Sequence, residues 1–199
     1  MLNVYLLRHG ETPYNAEGNR YCGRTDISLT DKGLRQAEVV FDFLGKTKIN
    51  AVYSSPLVRA RLTAEIASGK KIVRIDNRLI EADFGNWEGK TKEIFIAEDP
   101  GSWREWMENP YDTKAGSTGE SGKEIVERVD SFFKDMLIIH DNETIMVAAH
   151  NGINRLYMAF KLGMDLKYYR RIVQDNASIT QFQLDNKGEF SLLKLNAIF

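Results

Sequence analysis

Two spacings of apolar residues alternate along the chain. Leu2–Leu7, Ala51–Tyr53, Ile72–Ile75 and Thr144–Ala149 are short runs that are apolar at most positions. Such runs predict strands, covered on both faces where they are most apolar. Between them apolar residues recur every three or four positions, as the buried stripe of a helix does. Thr30 caps one predicted helix, with Leu34, Ala37, Phe41 and Leu44 as its stripe and Gly45 at its end. Ser55-Pro56 predicts another start, with serine at the cap and proline at the first helical position. Ser121-Gly-Lys-Glu124 is a capping box opening a third helix with Ile125, Val129, Phe132 and Met136 on one face. Ile153, Leu156, Tyr157 and Phe160 form a last stripe, stopped near Gly163. Segments 178–185 and 189–196 flank Asn186-Lys-Gly188 and predict a hairpin. Strand and helix in alternation imply a three-layer α/β/α sandwich with a mostly parallel central sheet. Residues 90–119, rich in Gly, Pro, Trp and charge, fit the rhythm poorly and are expected to form an insertion or cap in a single 1–199 domain. Trp103, Trp106 and Met107 are expected to mark the apolar face of a helix there, with the mouth of a site as their other possible place.

Composition narrows the function. The 199 residues carry 27 basic and 28 acidic side chains, a net charge of −1, which argues against a nucleic-acid partner held by bulk positive charge. Cys22 is the one cysteine, so an intramolecular disulfide and a Cys-x-x-Cys zinc site are excluded. With three histidines, no metal site is expected. No run reaches membrane-spanning length, and the opening residues lack a signal-peptide pattern, so a cytoplasmic location without a membrane partner is expected. Nothing in the sequence sets an oligomeric state.

The chemistry gathers at strand ends. In open parallel sheets ligands bind at the carboxyl ends of the strands. His9 follows the first strand, beside Arg8 and Gly10, where the missing Cβ leaves room for a ligand. His150 follows a second apolar strand, again near a glycine, Gly152. One such histidine is ordinarily a hydrogen-bonded surface residue; two in equivalent places, with Arg8, suggest a site. His140 follows a helix and lacks this setting. Gly119-Glu-Ser-Gly122 is a helix start whose free N–H groups could meet an anion.

Leu6-Leu-Arg-His-Gly-Glu-Thr12 resembles the signature of the histidine phosphatase superfamily, which includes the cofactor-dependent phosphoglycerate mutases. Five further segments resemble that family in its own order. They are Gly23-Arg-Thr-Asp26 with Leu29–Gly33, the segment from Ser54 through Arg59 to Ala64, Leu79–Gly89, Gly119-Glu-Ser121, and Val147–Gly152. The resemblance implies a phosphoglycerate mutase-like fold. It implies that His9 attacks phosphorus to give a phosphohistidine and that Arg8 and Arg59 grip the phosphoryl oxygens. His150 would add a hydrogen bond, or a charge if protonated, and Glu81 would be the acid–base residue. Those side chains suit phosphoryl transfer, in which positioning and electrostatics do most of the work. The family register alone selects Glu81 over Asp83 and Glu88; otherwise Glu81 would be read as an ion-pair partner of Arg78. Arg59 by spacing alone would be an exposed helix residue. Thr12 lies in the signature, and Asn15 resembles a family asparagine that donates to phosphate. Cys22 and Gly23 fall in the presumed substrate loop, with Cys22 expected to be inert. Asn151 replaces a glycine common among family phosphatases, and would narrow the pocket or touch substrate.

The expected activity is hydrolysis of a small phosphorylated metabolite, without a cofactor. Phe84–Gly89 looks like the phosphatase branch, including alpha-ribazole phosphatase. Arg104 stands alone where mutases carry an arginine pair. The alternatives are a mutase, which would need a 2,3-bisphosphoglycerate primer, and more remotely a non-catalytic phospho-ligand or protein-binding module. Loss of His9 or Glu81 would have favoured the last.

Overall fold

In the computed structural model, which describes residues 1–199, six strands form one sheet. The elements in chain order are β1 (Leu2–Arg8), α1 (Pro13–Ala16), α2 (Asp31–Leu44), β2 (Ala51–Ser54), α3 (Val58–Ala67), β3 (Val73–Ile75), α4 (Lys92–Glu98), α5 (Pro100–Glu108), α6 (Gly122–Ile139), β4 (Thr144–Ala149), α7 (Asn151–Lys161), β5 (Ile179–Leu184) and β6 (Phe190–Ala197). The strand order is β3-β2-β4-β1-β5-β6. The first four run parallel, and β5 pairs antiparallel with both β1 and β6. The mostly parallel sandwich and its C-terminal hairpin are therefore as the pattern predicts.

The side-chain period of two distributes the core. Leu2, Val4 and Leu6 of β1, with Ile145, Val147 and Ala149 of β4, face a large cluster built with α6 and α7. Leu7, Met146 and Ala148 face the other way, onto Val40 and Leu44 of α2 and Ala64 and Ala67 of α3. Residues 90–119 form α4, α5 and a 3-10 turn, Ala115–Ser117, and their Phe95, Trp106 and Ala115 join the larger cluster. Trp87 stacks on Phe95 with ring centroids 4.8 Å apart and meets Trp103 and Trp106 edge-on.

Three local expectations change. The buried stripe of α2 is Gly33, Ala37, Val40 and Leu44; Phe41 lies outside, against Gly69. Small residues occupy that face because α2 crosses close to other backbone: a Cβ on Gly33 would lie 2.2 Å from the Glu11 carbonyl oxygen. Phe160 of α7 is likewise exposed. Helix α3 starts after Leu57, with no side-chain cap, rather than at Ser55-Pro56. The Thr30 cap and the Ser121–Glu124 capping box both form.

Candidate active site

Parallel pairing of β1 with β4 runs from Asn3 opposite Thr144 to Arg8 opposite Ala149. The next residue on each strand is a histidine. The His9 N–H donates to the Ala149 carbonyl at 3.0 Å, and the His9 and His150 rings stand 5.2 Å apart. Gly10 serves packing rather than ligand access, contrary to the expectation for its missing Cβ. A Cβ there would fall 2.4 Å from the Gly33 carbonyl oxygen of α2.

His9 Nδ1 lies 2.7 Å from the Gly10 carbonyl oxygen. A carbonyl only accepts, so Nδ1 carries the proton and the neutral ring keeps its lone pair on Nε2. Burial, then Arg59 and Arg8, holds His9 well below the usual histidine pKa, so the ring is uncharged at neutral pH. His150 is held low by burial, Arg59 and His9, which leaves it a neutral hydrogen-bonding group rather than a charge. Its Nε2 is 2.7 Å from Ser55 Oγ, which accepts from the Leu57 N–H at 3.3 Å. The other ring nitrogen of His150, Nδ1, is buried without a partner. Ser55 thus orients His150 instead of capping α3.

Arg8 and Arg59 are both buried. One Arg8 nitrogen donates to the Gln174 carbonyl at 2.7 Å. Burial lowers its pKa to about 10, with Arg155 adding to the shift, and it stays charged at neutral pH. Arg59 donates to the carbonyls of Thr25, Cys22 and Gly23, so it fastens the 22–25 loop instead of lying exposed on α3. Nε of Arg8, Nε of Arg59 and Nδ1 of His150 are buried nitrogens lacking a partner. Unmet buried polar groups cost free energy, and these three belong to residues that surround His9.

Glu81 is 4% exposed. Its carboxylate accepts from the Ala82, Gly152 and Ile153 N–H groups at 2.9, 2.9 and 3.1 Å, so it rests on the first turn of α7. Gly152 makes this possible: a Cβ there would lie 2.6 Å from Glu81 Oε1. Arg128 donates to the carbonyls of Arg78, Ile80 and Glu81 and fixes the segment from behind. Arg78 pairs with Asp76 and Asp135 and leaves Glu81 free of it. Glu88 accepts from the Gly23 and Thr25 N–H groups, and Asp83 accepts from Gly85, so the two rival carboxylates hold loops.

A cavity of about 300 Å³ opens over these groups. Arg8, His9, Asn15, Cys22, Glu81 and Asn151 line it. Arg59 and His150 are wholly buried and outside its wall, as are Thr12, which caps α1, and Gly23, which is bound to Glu88. Burial raises the Cys22 thiol to about 11, which keeps it protonated. Trp106 is both core and cavity wall, and its Nε1 donates to Tyr169 Oη at 3.2 Å. The start of α6 is not an anion site: the Gly122 and Lys123 N–H groups donate to Pro110 and Tyr111, and that of Glu124 to Ser121. No group of three or more His, Cys, Asp or Glu side chains is placed to hold a metal ion, and no helix is long and apolar enough to cross a membrane. Arg155, Arg170 and Tyr169 are among the wall residues that the sequence did not mark, and Ser55 was marked there only as a helix cap.

The model of the histidine phosphatase superfamily, branch 1, matches residues 4–198. The chain belongs to that superfamily. It is 34% identical over 198 residues to phosphoserine phosphatase 1 of Hydrogenobacter thermophilus, covering 98% of this chain and 92% of that one. A mutant phosphoserine phosphatase from Entamoeba histolytica in complex with phosphoserine superimposes with a TM-score of 0.90 at 29% identity, covering 99% of this chain and 98% of that one. The Entamoeba enzyme in complex with 3-phosphoglyceric acid gives the same TM-score and coverage at 30% identity. This histidine phosphatase is a hydrolase of phosphate monoesters, and its fold is the phosphoglycerate mutase-like sandwich.

Proposed function

We propose that the protein hydrolyses the phosphate monoester of a small metabolite through a phosphohistidine on His9, without a metal or cofactor. The observation that carries this reading is the tautomer of His9: Nδ1 is committed to the Gly10 carbonyl, which leaves Nε2 to attack. In the first step Nε2 bonds to phosphorus as the ester P–O bond breaks, and Glu81 gives its proton to the leaving oxygen. In the second step Glu81 takes a proton from water, whose oxygen attacks phosphorus and breaks the P–N bond. Arg8 and Asn15 would donate to the phosphoryl oxygens from the cavity wall, and Arg59 and His150, buried beside His9, would add to the grip. Cationic side chains then supply the charge that Mg²⁺ supplies in other phosphoryl-transfer sites.

Rapid-quench mixing with p-nitrophenyl phosphate tests the proposal. The expected result is a phosphoryl group on His9 that is stable to base and labile to acid. Turnover should survive EDTA and nearly vanish in His9→Ala. Retention of most activity by a folded His9→Ala protein overturns the mechanism, and a strict metal requirement overturns the role given to the arginines.

A further inference from the structure

Asn15 sits on α1, a four-residue helix that buries none of its own residues, so apolar packing does not fix where its amide lies. Hydrogen bonds do. Asn15 Oδ1 lies 3.1 Å from the Thr12 backbone nitrogen, whose N–H can only donate, so that side-chain atom is the oxygen. Asn176 meets the same oxygen at 3.1 Å and the His9 carbonyl oxygen at 3.2 Å. Both of these accept, so the Asn176 atom is Nδ2, and its two hydrogens are spent, one on Asn15 and one on His9. Two backbone groups whose roles cannot be exchanged thus set both amides. Asn15 keeps Nδ2 toward the cavity that it lines, with Asn19 Oδ1 at 3.4 Å as the one protein partner of that nitrogen.

The segment that carries Asn176 is itself braced. The Ala177 N–H donates to the His9 carbonyl at 3.1 Å, and Ala177 is held at φ 57, a left-handed conformation that alanine rarely adopts. Asn196 accepts from the Asp175 N–H at 2.6 Å and donates to Asp175 Oδ2 at 2.8 Å. Asn176 lies outside the cavity wall, so any effect on a bound substrate passes through its two partners.

We propose that Asn176 is a positioning residue, which ties the Asn15 amide to the His9 backbone and so holds the Nδ2 donor at a set distance from the nucleophile. The proposal rests on the reading above, in which His9 attacks phosphorus and Asn15 donates to a phosphoryl oxygen. The capping box turns the Asn15 amide the right way within α1, and Asn176 holds α1 to His9. Placing donor and nucleophile in one hydrogen-bonded unit supplies the fixed geometry that phosphoryl transfer depends on. The Ala177 N–H holds the His9 carbonyl as well, so loss of the Asn176 side chain leaves the nucleophile in place and falls on phosphate binding.

The test measures competitive inhibition by inorganic phosphate in the full chain, beside kcat and KM for p-nitrophenyl phosphate. Asn15→Ala should weaken phosphate about tenfold, the worth of a hydrogen bond to a charged group. Asn176→Ala should weaken it by about threefold to tenfold, with a matching rise in KM and a smaller change in kcat. Asn176→Asp keeps the shape but can only accept, so oxygen faces oxygen at both bonds, and its loss should exceed that of alanine. Asn176→Ala combined with Asn15→Ala should bind phosphate no more weakly than Asn15→Ala alone. Normal phosphate affinity in the Asn176 variants beside a weakened Asn15→Ala overturns the positioning role and leaves the phosphatase reading intact. Losses that multiply in the double variant, or that fall on kcat alone, overturn it too. If Asn176→Ala fails to fold, the isosteric Asn176→Asp decides by the same affinity comparison. Normal affinity in Asn15→Ala overturns the donor role of Asn15 in the reading beneath, and this proposal with it.

Discussion

Gly152→Ala separates the chemistry of Glu81 from the stability of the fold. The added methyl carbon would stand 2.6 Å from Glu81 Oε1 and 3.1 Å from its carboxyl carbon. Both distances are well inside contact, and the carboxylate is the part that can swing away, because Arg128 fixes the backbone behind it. Moving it breaks the 2.9 Å bond from the Gly152 N–H and the 3.1 Å bond from the Ile153 N–H. The backbone of Gly152 lies in helix α7 and needs no positive φ, so alanine brings a propensity gain of about 0.5–1 kcal/mol. The freed Gly152 N–H belongs to the cavity wall and can be rehydrated. The net stability change should be no more than about 2 kcal/mol. The kinetic change should be much larger. With an alkyl phosphate, loss of a positioned general acid costs about 10²–10⁴ in rate, or ~2.7–5.4 kcal/mol of barrier. With p-nitrophenyl phosphate the leaving group departs without a proton, so phosphoenzyme forms at nearly the normal rate and then persists, because water activation is impaired. Stopped-flow release of p-nitrophenol should show a burst followed by slow turnover, beside a near-normal urea transition. Glu81→Gln should produce the same defect, and the double variant should be no worse than either single one. A folded Gly152→Ala protein that keeps the normal rate on alkyl phosphates refutes the argument, as do losses that multiply in the double variant.

Two further outcomes follow from the buried histidines. His9 and His150 are held below their unfolded pKa of ~6.5, so unfolding takes up protons and their contribution is complete above that pH. As pH falls from about 6.5 to 5 each histidine should remove up to ~1.4 kcal/mol of stability per pH unit, measured by urea denaturation, and a flat profile contradicts the assigned protonation. His140 bonds Tyr53 Oη at 2.8 Å and Glu143 at 2.6 Å, so His140→Ala should cost about 1–3 kcal/mol of stability and little turnover, whereas His150→Ala should cost ~10²–10³ in turnover, and equal kinetic damage contradicts the division.

The legible parts of this molecule are those where one physical requirement dominates a local pattern. Runs such as Thr144–Ala149 must be covered on both faces, so the strands and the two histidines at their ends could be placed from sequence. Phe41 and Val40 show where that logic weakens. Adjacent residues on a helix differ by only about 100° in direction, and close approach at Gly33 chose the face that hydrophobicity alone would not. Ser55 was misread because Ser-Pro is a good helix start in isolation; its partner His150 is 95 residues away. Arg155 and Arg170 carry no local mark at all. Their place in the cavity wall comes with a shared ring at Tyr169, which only the assembled chain displays.

The middle position of β1 in the sheet bears on how the protein is made. This strand precedes its neighbours β4 and β5 in the chain by roughly 140 and 180 residues. The Arg8–His9 end of β1 is then latched by the chain just before β5: the Arg8 N–H donates to the Ser178 carbonyl, Ala177 donates to that of His9, and Gln174 receives the Arg8 side chain. A ribosome-bound chain therefore cannot complete these contacts until Ser178 has emerged. Until then Leu2–Leu7 has no lasting partner, and such unpaired apolar strands are the species that holding chaperones shelter. Ordering of the Arg8–His9 end becomes a late event of synthesis, because its latch lies at residues 174–178.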